Sequence, residues 1–163
     1  MKNIDVLTLP DPIFSLDETV VSFDVERVLF EKDFKLNSQA RVAVRRAIDR
    51  GHKTVIWSTS HIAVEELRSY GEPFTEVDQT ISGLHFSEKS GTAFKNLYLL
   101  QRDPTKIVGI EDSDIFFEPL NRVVKVDNSR DLLRAECEAN QILAGNQGCT
   151  HCKYSSCRYG ASK

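Results

Sequence analysis

No apolar run in this 163-residue sequence approaches the length of a bilayer span, which takes about 20 consecutive apolar residues. The opening MKNIDVLTLPDPIF has neither the basic start nor the continuous apolar stretch of a secretory signal. A soluble, cytoplasmic protein is expected. Charge of one sign is also scarce: the net charge is -3 and the pI about 5.8, which argues against a broad basic surface for nucleic acid. Arg41, Arg45, Arg46, Arg50 and Lys53 do cluster, and read as a solvated helix face. No cysteine precedes Cys137. With no leader, the crowded Cys149, Cys152 and Cys157 of CTHCKYSSC read as reduced thiols or a metal site, not as a disulfide framework. Zinc wants four ligands and there is no second C-x2-C pair. Cys137 or His151 could complete the set, and because His151 lies between two of the cysteines, Cys137 is the better fourth ligand. Free thiols in a polar tail are the competing reading.

What is present is one domain's worth of chain, with 40% hydrophobic and 28% charged residues, expected as a single core over 1–145 and a cysteine-containing tail over 146–163. VVSFD, Val20 to Asp24, is the first clear strand. Asn37 and Ser38 offer N-caps for a helix whose Ala40, Val44, Ala47 and Ile48 recur at helical spacing up to Gly51. TVIWS, Thr54 to Ser58, is the next strand, and IAVEELRSYG the next helix. A short strand near Thr80 to Ile81, a helix over Ala93 to Leu100, strands at Lys106 to Ile110 and Arg122 to Val126, and a last helix from Asp131 to Ile142 follow. Strands alternating with helices imply a mostly parallel sheet covered by helices, an α/β Rossmann-like three-layer architecture. Trp57 is expected in the core, while His52, His61 and His85 stand singly and suggest no ligand set.

The strand ends carry the chemistry. The three best strands finish in polar groups, at Asp24 and Glu26, at Ser58 to Ser60, and at Glu111 to Asp114; in open α/β sheets that edge binds ligands. Two buried carboxylates converging there need a proton, a basic partner or a metal. Mg2+ favours oxygen ligands and takes one or two carboxylates with water and phosphate. A hydroxyl and a lysine beside it complete the parts for phosphoryl transfer.

FDVERVLF, GHKTVIWS and FKNLYLLQRDPTKIVGIEDS together resemble, in order, the four motifs of the haloacid dehalogenase superfamily of aspartyl-phosphate phosphatases. The last segment is similar to that of the branch acting on the RNA polymerase C-terminal domain. The resemblance covers about Val20 to Asp127 and implies a capless core of that type. It implies Asp24 as nucleophile, Glu26 as general acid and then base, Ser58 as a phosphate ligand and Lys95 as a countercharge. It also implies Mg2+ held by Asp24, Glu111 and the backbone carbonyl of Glu26, with Asp112 supporting the shell. Where this chain has Glu26 and Glu111 the family usually has Asp, and Arg27-Val28 replaces a Gly-Thr or Glu-Thr pair. Each Glu adds a methylene, roughly 1.5 Å of reach in sites that tolerate about 0.5 Å of error. SLDETV, Ser15 to Val20, is a rival first motif with Ser15 in the nucleophile's place, but no apolar strand precedes it.

Each residue also has a bland reading. Asp24 and Glu26 could be a solvated turn, Ser58 or Ser60 a helix N-cap, Lys95 a surface lysine, and Glu111, Asp112 and Asp114 a capped turn. The expected function is Mg2+-dependent hydrolysis of a phosphomonoester on a bulky protein or nucleic-acid substrate, or on a small phosphomonoester. The alternatives are an inactive phosphatase-like binding module with a small zinc site in its tail, and a small redox or metal protein using CTHC.

Overall fold

The computed structural model describes residues 18–58, 60–81, 106–112, 123–126 and 131–144. Within them lie strands β1 (Val20–Asp24), β2 (Lys53–Trp57), β3 (Gln79–Ile81), β4 (Ile107–Glu111) and β5 (Val123–Lys125). The helices are α1 (Ala40–Asp49), α2 (His61–Ser69) and α3 (Leu132–Leu143). The five strands form one sheet in the order β3-β2-β1-β4-β5, and every pairing is parallel. This is the expected Rossmann-like α/β fold. The helix expected over Ala93 to Leu100 lies outside the described residues, as do the tail and its three cysteines.

Parallel strands in the middle of such a sheet are covered on both faces and read as continuous apolar runs. Val20 through Phe23 are all buried, as is every residue of β4. Successive side chains point to opposite faces, so unbroken burial means that both faces of the sheet are covered. Val21, Phe23, Ile56, Val108, Ile110 and Val124 share one contiguous core with the apolar stripes of α1, α2 and α3. The other face holds Val20, Val55, Trp57 and Ile107, each no more than 1% exposed.

Helix ends depart from the expectation in one place. Neither Asn37 nor Ser38 caps α1; Gln39 occupies the cap position without a side-chain cap bond. Asn37 stands two residues earlier and serves both sides: its Oδ1 accepts from the Gln39 N–H at 2.9 Å, while its Nδ2 donates into the β1 loop, to the Val28 carbonyl at 3.0 Å. At the other end the expected glycine stop holds: Gly51 adopts φ 84, a left-handed conformation that costs glycine little.

The arginines of α1 are not a merely solvated face. Arg41 donates to the carbonyls of Glu72 and Tyr70 at 2.6 and 2.8 Å, Arg45 pairs with Glu76, and Arg46 and Arg50 turn into the seam with α3. There Arg50 Nε sits 3.2 Å from Glu136 Oε1, both side chains buried. The Cys137 sulfur lies 3.6 Å from Arg46 and 3.7 Å from Arg50. His52 Nε2 meets Asn140 Oδ1 at 2.8 Å and its Nδ1 meets the Thr19 hydroxyl at 2.6 Å. The amide oxygen can only accept, which fits a neutral imidazole protonated at Nε2. Desolvation lowers the His52 pKa. It pushes Glu136 up to about 7, although Arg50 and Arg46 pull the other way.

These two groups tilt stability in opposite directions. His52 contributes stability that is present above its unfolded value and lost as pH falls through its lowered folded value. Glu136 contributes stability that is present below its unfolded value and lost as pH rises toward about 7. Removing the second contribution is measurable. The stability of Glu136→Gln relative to wild type, from urea midpoints, should climb by roughly 2–3 kcal/mol between pH 4.5 and 7. A flat difference would contradict this protonation of Glu136.

Candidate active site

The strand order reverses direction between β1 and β4: the chain runs outward through β2 and β3, then crosses back to place β4 on β1's other side. Ligands of open α/β sheets bind outside the carboxyl ends of the strands at such a switch point. The register pairs Phe23 with Ile110, so the next residue on each strand, Asp24 and Glu111, stands at the same level on the same face. Asp112 follows immediately. Carboxylate oxygens of Asp24, Glu111 and Asp112 lie within 4.8 Å of one another. Glu111 is fully buried, while Asp24 and Asp112 are half-buried.

Three like charges this close repel. At 4.8 Å and an effective dielectric constant of about 20, each pair of full charges costs about 3 kcal/mol. A divalent cation is one remedy, and the donor set suits a hard one: it is all oxygen and all anionic. Octahedral Mg2+ bonds oxygen at about 2.0–2.1 Å, so its ligand atoms sit roughly 3–4 Å apart, a contraction that small side-chain rotations supply. Asp24, Glu111 and Asp112 therefore fit Mg2+. The Glu26 carboxylate does not belong to this group; the contribution expected of Glu26 to the metal was its backbone carbonyl.

Past Asp24 the chain makes a single wide turn, Val25–Leu29, that is helical at its ends but not at Glu26 (φ -69, ψ 130) or Arg27 (φ 62, ψ 9). Val25, Val28 and Leu29 are buried, which leaves Glu26 and Arg27 exposed. The turn is pinned by Phe30 N–H donating to the Val25 carbonyl and Asn37 N–H to that of Leu29, both at 2.9 Å. A small hairpin follows, closed by an antiparallel bridge between Phe30 and Leu36. At its tip Lys35 N–H reaches the Lys32 carbonyl at 3.4 Å, with Asp33 and Phe34 between them at φ 62 and 58. A cavity of about 420 Å³ opens beside this hairpin, lined by Glu26, Arg27 and the run from Phe30 to Phe34.

Ser58, one residue beyond β2, is buried. Its Oγ accepts from Ser60 N–H at 3.0 Å, and its own O–H remains available as a donor. The cap of α2 is Ser60, whose Oγ accepts from Ala63 N–H at 3.2 Å. Of the two, Ser60 is thus the helix cap and Ser58 is not. Lys95, Asp114, Ser15 and the cysteines 149, 152 and 157 lie outside the described residues. Of the rival SLDETV motif the structure describes Glu18, Thr19 and Val20, which lie at the opposite end of β1 from the acids. Cys137, the expected fourth zinc ligand, is fully buried beside two guanidiniums, surroundings that disfavour a further cation.

No family model matches the sequence, and no curated protein matches it. Among solved structures, an uncharacterized protein from Listeria monocytogenes serotype 4b is similar, with a TM-score of 0.54 and 12% identity, over 76% of this chain and 99% of that one. The core domain of a candidate phosphoglycolate phosphatase from Streptococcus pneumoniae TIGR4 is more distant, with a TM-score of 0.48 and 16% identity, over 66% of this chain and 79% of that one. At such identities the first likeness speaks to the fold alone, and the second is too distant to speak even for that.

If the three acids repel as their spacing implies, removing one charge should help the apoprotein. Solvent screens most of the repulsion felt by the half-buried Asp112, so in the presence of a chelator Asp112→Asn should unfold about 2–4 °C above wild type, the shift expected of roughly 1 kcal/mol in a domain of this size. An unchanged or lower midpoint would mean the carboxylates are already neutralised.

Proposed function

We propose that the chain is a Mg2+-dependent phosphatase that hydrolyses a phosphomonoester through a phosphoaspartate on Asp24. The observation that supports this most is the meeting of Asp24, Glu111 and Asp112 at the switch point of the sheet. Strand-end placement gives a nucleophile that is half-buried yet still reachable from solvent, and an oxygen cluster that suits a phosphate-binding cation.

In the first step an Asp24 oxygen attacks phosphorus and the ester P–O bond breaks. The leaving oxygen takes the proton of Glu26. In the second, Glu26 as carboxylate takes a proton from water while the water oxygen bonds to phosphorus. The P–O bond to Asp24 breaks and inorganic phosphate leaves. Glu26 suits both roles because the turn after β1 leaves it exposed and two residues from the nucleophile. The Ser58 hydroxyl would donate to a phosphate oxygen, and Lys95 would offset phosphate charge. Mg2+, held by Asp24, Glu111 and Asp112 with the Glu26 carbonyl, would neutralise part of the charge that the acids and phosphate bring together.

A bulky phosphorylated substrate, a protein or a polynucleotide end, suits an approach that the described residues leave uncovered. The connection from Asp24 to α1 is spent on the wide turn and the hairpin, leaving no covering domain there. Small metabolites favour sites with a lid that excludes water.

The test is hydrolysis of an aryl phosphate with and without Mg2+. Wild type should turn over only with the metal, Asp24→Asn should fall to background, and Glu26→Gln should lose about 10²- to 10⁴-fold in kcat. Retained activity in Asp24→Asn would overturn the assignment. A folded protein with neither turnover nor any response to Mg2+ would favour the phosphatase-like binding module instead.

A further inference from the structure

The hairpin tip beside Glu26 has an unusual residue in a demanding place. Lys32 to Lys35 form a turn whose two central residues, Asp33 and Phe34, both have positive φ. Such turns ordinarily take Asn or Asp followed by Gly, because a Cβ at the second position meets the backbone. Asp33 conforms; Phe34 does not. An aromatic residue in a left-handed conformation is an outlier whose persistence points to function. Nor does the ring gain much from burial, since Phe34 is 45% exposed. It stands edge-on to the buried Phe30, with ring centroids 5.8 Å apart and planes at 75°. The hairpin thus holds an exposed aromatic surface against the cavity that Glu26 also lines.

We infer that this cavity is the leaving-group subsite and that it takes an aromatic ring packed on Phe34, so that the preferred substrates are aryl phosphomonoesters. The inference rests on the proposed phosphatase reading, in which Glu26 protonates the leaving oxygen and whatever carries that oxygen must lie beside Glu26. The wall is aromatic, formed by Phe30 and Phe34. The rim carries Glu26, Glu31 and Asp33 against Arg27 and Lys32, with no surplus of positive charge even when Glu26 holds the proton it gives to the leaving oxygen. That balance disfavours a second anionic group and suits an uncharged ring. A volume of about 420 Å³ accommodates a phenol-sized group with flanking atoms. A free phenolic metabolite and a phosphotyrosyl side chain share this chemistry.

The experiment compares two non-hydrolysable probes, phenylphosphonate and methylphosphonate, by titration calorimetry with Mg2+, on wild type, Phe34→Gly and Phe34→Leu. Wild type should bind the phenyl probe about tenfold more tightly, and both variants should bring the two probes within about twofold. Phe34→Gly, freed of the left-handed Cβ, should unfold no lower than wild type, which separates loss of the ring from loss of the fold. Phe34→Leu keeps an apolar side chain and controls for simple hydrophobic cover. Equal binding of the two probes by wild type, or a phenyl preference that survives in both variants, would overturn the subsite while leaving the phosphatase reading intact. Binding of neither probe, together with no Mg2+-dependent turnover, would overturn both. Turnover of phosphotyrosine against a phosphotyrosyl peptide then separates the two sources of the ring: a higher kcat/KM for the peptide marks a protein substrate, and the reverse marks a metabolite.

Discussion

The parallel register between β1 and β4 is the constraint on which the rest depends. Because Phe23 stands opposite Ile110, the acids that end each strand emerge side by side. A slip of one residue would send one of them to the other face of the sheet. Burial on both faces anchors the two strands: Val20 to Phe23 on one and Ile107 to Ile110 on the other all lie in the interior, and the pairing sets them level. The apolar sheet therefore determines where the charges go, and they stand at the switch in strand order, where open α/β sheets bind their ligands.

What surrounds the acids serves to hold that edge. The wide turn buries Val25, Val28 and Leu29 under the same core and presents Glu26 and Arg27 outward. Asn37, buried and bonded to the Val28 carbonyl, ties the far side of the hairpin back to that turn. Behind the sheet, Arg50 and Glu136 join α1 to α3 through a buried ion pair. Such pairs offset desolvation only when well matched, and the raised Glu136 pKa shows desolvation prevailing there. The molecule thus keeps buried carboxylates in two places of opposite kind. One faces the guanidiniums of Arg46 and Arg50 across the seam between two helices; the other gathers acids that a hard cation would suit.

The strands and the acids at their ends were legible because both follow from short-range pattern. VVSFD, TVIWS and KIVGI are apolar runs too short for helices and bounded by turn residues, and each observed strand begins and ends within about two residues of the expectation. Three other features depend on tertiary contacts that no local pattern encodes. Arg46 and Arg50 share α1 with Arg41 and Arg45, and only the docking of α3 distinguishes the inward pair from the outward one. Asn37 was legible as a residue of the helix start, where its Oδ1 accepts from the Gln39 N–H, but no local pattern showed that its Nδ2 also ties the β1 loop. EKDFK carries no glycine, so nothing in it announced a turn with two residues at positive φ. Ser58 and Ser60 were ambiguous for a plainer reason, since both precede a helix at capping distance and only their hydrogen bonds assign them.

Asp24 ends β1 beside Glu111 and Asp112, and the proposed phosphatase requires it to accept a phosphoryl group. Beryllofluoride binds a carboxylate oxygen as a phosphoryl group would, and fluorine NMR reports it without any turnover. With Mg2+ present, wild type should give a saturable bound fluorine resonance that vanishes on adding a chelator and is absent from Asp24→Asn. No bound resonance in wild type, or one that persists unchanged in Asp24→Asn, would contradict the assignment of Asp24 as the phosphoryl acceptor.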